Sequence, residues 1–133
     1  MNGGKMQFFP LFFYAFSLFE CNQLKFNIMK FITHNDAEFP GDEAVGTSLV
    51  GHVDVDYAKL KKTFGNPTKS DGYKSDAEWE ILFEDGTIAT IYNYKNGKNY
   101  LGKNGKPKTK IRDWHIGGKD EKACENVLKV LSL

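Results

Sequence analysis

The chain has 133 residues, of which 41% are hydrophobic, 26% charged and 14% aromatic, with 18 Lys and Arg against 17 Asp and Glu. That length and mixture describe one globular domain able to bury its own core, and leave no room for a doubly wound or barrel enzyme. A net charge of +1 excludes a nucleic-acid binder built on total charge, and two cysteines, Cys21 and Cys124, make neither a disulfide framework nor a metal motif by spacing.

The first thirty residues differ from the rest. Eight of the 11 phenylalanines fall at Phe8, Phe9, Phe12, Phe13, Phe16, Phe19, Phe26 and Phe31, and Met6 to Phe19 is uncharged. A secretory signal fits Lys5, the apolar run and the small Ala15-Phe16-Ser17 triplet, but Pro10 and the bulky residues after Ser17 fit it poorly. A membrane anchor over 6–19 falls short of the roughly 20 apolar residues that a span requires. An over-extended reading frame with the true start at Met29 accounts for the phenylalanine bias, and a packed part of the fold is the remaining reading. The domain division is therefore an apolar segment, 1–28, and a single α+β domain, 29–133. The expected location is cytoplasmic, unless the first 20 residues are a signal or 6–19 an anchor.

From Met29 the elements follow in order. Ser48–Val55 places Leu49, Gly51, Val53 and Val55 on one side at period two, a strand. Asp56 is the N-cap of a helix whose Tyr57, Leu60 and Phe64 share one face, and Gly65 with Asn66-Pro67 ends it. In 77–94, Trp79, Ile81 and Phe83 alternate with Glu78, Glu80 and Glu84. Asp85-Gly86 makes the turn, and Ile88, Thr90, Tyr92 and Tyr94 alternate with Ala89, Ile91 and Asn93. That pattern predicts a β-hairpin whose acidic face is solvated. Lys95–Lys110 reads as a loop, Lys108–Ile116 as a further strand broken by Gly117-Gly118, and Asp120 as the cap of a closing helix through about Leu131. Ala123, Val127, Val130 and Leu131 form its apolar stripe, beside a buried Cys124. The expected fold is α+β: a small antiparallel sheet of three to five strands around the central hairpin 77–94, with two helices packed on one face.

The charge layout says more than the net charge. Asp36, Glu38, Asp42, Glu43, Asp54 and Asp56 share a stretch without Lys or Arg, whereas Lys95, Lys98, Lys103, Lys106, Lys108, Lys110 and Arg112 share one without acids. Tyr92, Tyr94, Tyr100 and Trp114 flank or interrupt the basic run, offering ring faces on which a base can stack for about 1–3 kcal/mol. Gly117 and Gly118, placed before a helix, can form a nest of N–H donors, with His115 and Arg112 completing a phosphate cradle. The plainer account makes the lysines a solvated loop and Trp114 a core anchor. His34, His52 and His115 have no zinc spacing, so no metal site and no cofactor are expected. A row of His52, Asp54 and Asp56 on one strand face could hold a divalent cation for a metal-dependent hydrolase. More simply, that row is a solvated edge with Asp56 spent as a cap. Glu78 and Glu80 are readable as an acid–base pair, though solubility explains them as well.

The segments Phe64-Gly65-Asn66-Pro67, Trp79 to Tyr92 and Trp114-His115-Ile116-Gly117-Gly118 resemble a group of small proteins encoded by bacteriophages and environmental viral sequences, over about Thr47 to Val130. The resemblance implies a viral origin and an accessory role in the host cytoplasm, such as neutralising a host-defence component or its nucleotide signal. It transfers no catalytic residue. The helix ending in Phe-Gly-x-Pro before a β-meander is also similar to β-lactamase-inhibitor-like modules, from which this chain departs by closing with a helix.

The resulting expectation is a non-enzymatic binding protein for a nucleotide, another phosphorylated ligand or single-stranded nucleic acid. Its site would comprise Tyr92, Tyr94, Lys98, Tyr100, Lys103, Lys106, Lys108, Lys110, Arg112, Trp114, His115, Gly117 and Gly118. The alternative is a protein-interaction or inhibitor module that docks on a host protein through its acidic face or its apolar N-terminal segment, with no small-molecule ligand. Oligomeric state is not readable from the chain.

Overall fold

The computed structural model describes residues 29–41, 44, 46–68 and 70–133, so the readings of residues 1–28 lie outside the described residues. Five strands form one wholly antiparallel sheet: β1 (Phe31–Thr33), β2 (Ser48–Asp54), β3 (Glu78–Phe83), β4 (Ile88–Tyr92) and β5 (Asp113–Gly118), in the spatial order β1-β3-β4-β5-β2. Two helices, α1 (Tyr57–Phe64) and the C-terminal α3 (Lys122–Leu131), contribute to one core, and a single turn of helix, α2 (Lys98–Leu101), lies in the connection from β4 to β5. This is the expected small α+β architecture. Among the described residues no helix is long and apolar enough to cross a membrane.

Period-two alternation sorts the strands onto two faces. Trp79, Ile81 and Phe83 of β3, Ala89 and Ile91 of β4, Trp114 and Ile116 of β5 and Val53 of β2 face the helices. They meet Tyr57, Leu60 and Phe64 of α1 and Ala123, Val127 and Leu131 of α3. The indole rings of Trp79 and Trp114 pack edge to face at 5.6 Å, and Trp79 Nε1 donates to the Gly65 carbonyl at 2.8 Å. A smaller cluster of Ile32, Leu82 and Ile88 lies apart from this core, roofed by Phe39 and Ala44 of the segment after β1.

The local signals of α1 are realised. The Asp56 carboxylate accepts the Lys59 N–H at 2.8 Å, and Gly65, at φ +87°, ends the helix. The hairpin turn also forms as read, with Gly86 at φ +88° and its N–H donating to the Phe83 carbonyl at 2.9 Å. At α3 the Asp120 carboxylate accepts the Lys122 N–H at 2.9 Å, one residue outside the nominal cap Glu121.

Three expectations need correction, and one strand carries no sequence signal. A bulge between Leu49 and Gly51 reverses the alternation of β2, so Gly51 and Val53 face the core while Leu49 is turned to solvent, 50% exposed. The Lys95–Lys110 connection is not plain loop, since it holds α2 and two 3₁₀ turns, Gly102–Asn104 and Lys108–Lys110. The last strand begins at Asp113 and runs through Gly117 and Gly118, where a break was expected. Finally, β1 had no sequence signal, and three residues are too few to show a period.

Candidate ligand-binding site

On the face of the sheet turned away from α1 and α3, the apolar cluster of Ile32, Leu82 and Ile88 occupies one end, and over the rest the strand register lines up polar and aromatic residues. Glu78 stands opposite Tyr92, Tyr92 opposite His115, and His115 opposite His52 across four strands. Over the Glu78–Tyr92 end of this row opens a cavity of about 300 Å³, lined by Thr47, Lys74, Glu78, Thr90, Tyr92 and Tyr94 among others. Thr90 on the floor packs against Gly117 of β5, where a Cβ would collide with its hydroxyl.

Glu78 and Glu80 are half-buried rather than solvated, which corrects the reading of an open acidic face. Burial, with the charges of Glu80 and Asp71 adding to it, raises the Glu78 carboxyl to about 7. This group therefore exchanges a proton near neutrality and can either donate or accept at the cavity floor. Burial also raises the Tyr92 phenol, helped by Glu78. The wall opposite is electrostatically settled. Asp71 accepts backbone N–H groups from Tyr73, Lys74 and Ser75 at 2.9–3.1 Å, and these bonds hold its carboxyl below the usual range.

At the rim the aromatic residues gather. Tyr73 and Tyr100 pack at 5.2 Å between ring centroids, and the Lys95 ammonium lies 5.1 Å from the Tyr94 centroid and 5.3 Å from that of Tyr100. All three tyrosines are exposed. Tyr94 in turn packs against His115, with the rings tilted by 30° and their centroids 5.4 Å apart. Burial, followed by the nearby His52, lowers the His115 pKa against the opposing pull of Asp113.

The rim is held by a buried amide. Asn93 is 0% exposed, and its Oδ1 accepts the N–H groups of Asp76 and Ala77 while its Nδ2 donates to Asp76 and Asn96. All four of its hydrogen-bonding capacities are thereby used. Asn99 adds a bond to the Ser75 carbonyl at 2.9 Å, and Lys95 N–H donates to Lys74 at 2.7 Å. Lys95 itself adopts φ +60°, a left-handed conformation that non-glycine residues adopt only where their surroundings impose it.

Of the expected site residues, the structure brings Tyr92, Tyr94, Tyr100 and His115 to this face or its rim, with Gly117 beneath them. Trp114 is not available as a stacking platform: its place in β5 turns it inward, where it is fully buried beside Trp79 and Tyr57. Gly117 and Gly118 form no phosphate nest, because both are paired within the sheet to β4 and β2. Lys98, Lys103, Lys106, Lys108, Lys110 and Arg112 are exposed, but none of them lines the cavity. Arg112 binds Asp54 at 2.8 Å, and Lys108 lies over the Tyr57 ring at 5.6 Å. The row of His52, Asp54 and Asp56 is likewise divided, since Asp54 holds Arg112 and Asp56 caps α1. Cys124 is half-buried, and burial raises its thiol pKa. Lys74 and Tyr73 carry no sequence signal as site residues, because they reach the rim from a polar loop with no periodicity. No known family model matches the chain, and no curated protein matches it.

Proposed function

We propose that this protein binds a small phosphorylated ligand with a planar ring, such as a nucleotide, on the open face of its sheet. The observation that carries this reading is the convergence of Tyr94, Tyr100, Tyr73 and Lys95 at the rim of a cavity floored by Tyr92 and Glu78. Exposed tyrosine faces hold a base by stacking, and alternate with a cation that favours phosphate. A carboxyl poised near pH 7 reads the ring edge, since it accepts from an amine or imide N–H when ionised and donates when protonated. Lys74, on the cavity wall, supplies the second positive charge. The lysines of 98–110 act at longer range, raising the local concentration of anions in a salt-dependent way. The likeness of the sequence to small viral proteins suggests the setting: an accessory protein in a host cytoplasm, sequestering a nucleotide signal of host defence.

Thermal unfolding of the full chain against nucleotides, cyclic nucleotides and short oligonucleotides tests this. A ligand at about 100 times its dissociation constant adds roughly 2.7 kcal/mol, which for a domain of this size raises the midpoint by on the order of 10 °C. The expected pattern is a shift with one nucleotide class, abolished by Tyr94→Ala and by Lys74→Glu. Changing Lys103, Lys106, Lys108 and Lys110 together to Glu should weaken the shift most at low salt. No shift across the panel overturns the reading in favour of a protein partner.

A further inference from the structure

We infer that His52, Asp113 and His115 form a binding site for a divalent transition-metal ion of the zinc class. The pairing of β2 with β5 sets His52 directly opposite His115, and Asp113 precedes His115 by two positions on the same side of β5. One donor atom from each residue lies within 4.8 Å of the other two. His52 Nδ1 and Asp113 Oδ1 are 3.4 Å apart, and the imidazole rings meet at 4.5 Å.

These distances suit an ion. Ligand bonds of about 2.0–2.2 Å in tetrahedral geometry place neighbouring donor atoms roughly 3.4 Å apart. The His52–Asp113 edge already has that length, and the two edges to His115 lie within 4.8 Å, close enough for side-chain rotation to bring all three donors onto one ion. Two imidazoles with one carboxylate select zinc, cobalt or nickel over magnesium and calcium, which prefer all-oxygen shells. The neighbouring charges leave Asp113 available: Asp54 stands opposite Asp113, but its carboxylate is taken by Arg112. The ligands sit on paired strands rather than on a loop, so their backbone positions are fixed before an ion arrives. Three protein ligands leave at least one coordination position open, on the same face as Tyr94, whose ring lies against His115.

The site is independent of the nucleotide reading, and its test uses no nucleotide. Zinc chloride and cobalt chloride are titrated into the full-length protein, followed by calorimetry, thermal unfolding and, for cobalt, visible absorption. The expected result is uptake of one ion per chain with a raised unfolding midpoint and a cobalt d–d band. His52→Ala and Asp113→Asn, both exposed positions, should each weaken binding at least about tenfold, the lower end of the loss when even an outer partner of a metal site is removed. A Cys21→Ser/Cys124→Ser double variant should bind as the parent does. The inference is overturned if the parent protein takes up neither ion, if His52→Ala binds as tightly as the parent, or if the cysteine variant loses binding.

Discussion

The two faces of this sheet come from the same strands and answer to different physics. On the helix-covered face Trp79, Ile81, Phe83, Ile91, Trp114 and Ile116 are all 0% exposed, and burial of apolar surface dominates. On the other face the same strands present Glu78, Tyr92, His115 and His52 in one row, and the interactions are those of titratable and aromatic groups in a half-wet setting. One side therefore holds the fold together, and the other can carry chemistry with little cost to it.

Substitutions of matched severity should separate the faces. Trp79→Ala removes one of the two fully buried indoles along with its hydrogen bond to Gly65, and should cost about 3–5 kcal/mol by urea denaturation. Gly117→Ala should come next. Its new methyl meets the Thr90 hydroxyl from within the sheet, an overpacking cost of about 1–3 kcal/mol. Thr90→Ala in the same chain should recover part of that loss, which a double-mutant cycle reads directly.

A smaller effect follows from Glu78. Its native carboxyl titrates near 7 rather than at the ordinary 4.5, so between these values the native state keeps a proton that the unfolded chain has released. Stability should fall as pH rises from about 4.5 to about 7, then show no further change from this group. Glu78→Gln should remove that slope, leaving the variant more stable relative to the parent at pH 8 than at pH 5. Smallest of all, Tyr94→Ala on the open rim should change stability by no more than about 0.5 kcal/mol. A loss as large as that of Trp79→Ala would mean that the two faces are not distinct in kind.

What could be read from the sequence was what is local. The hairpin, α1 and α3 announce themselves because cap, period and turn residues lie within a few positions of one another. Features that depend on pairing between distant segments stayed hidden. β1 is defined only by its partner β3, and His52 meets His115 only through the register of β2 with β5. Gly117 and Gly118 read as a break because glycine is common in turns. Here a Cβ at either position would collide with Thr90 or with Ala123 of α3, so close packing is what calls for glycine. From composition alone Trp114 fits either a stacking platform or a core anchor. Alternation from Asp113 settles it inward and leaves His115 to face out.

The two margins of the sheet have a bearing on how the protein behaves when concentrated. A strand with an unpaired edge is a template for another chain, and long flat edges seed fibrils. β1 offers only three residues, and β2 carries a bulge at Val50 and charged Asp54 near its end. Among the described residues, neither margin presents a straight run of free backbone long enough to recruit a neighbour's strand. Both margins of the described sheet are therefore blunted by backbone geometry, a device that does not depend on net charge, which at +1 gives little colloidal protection.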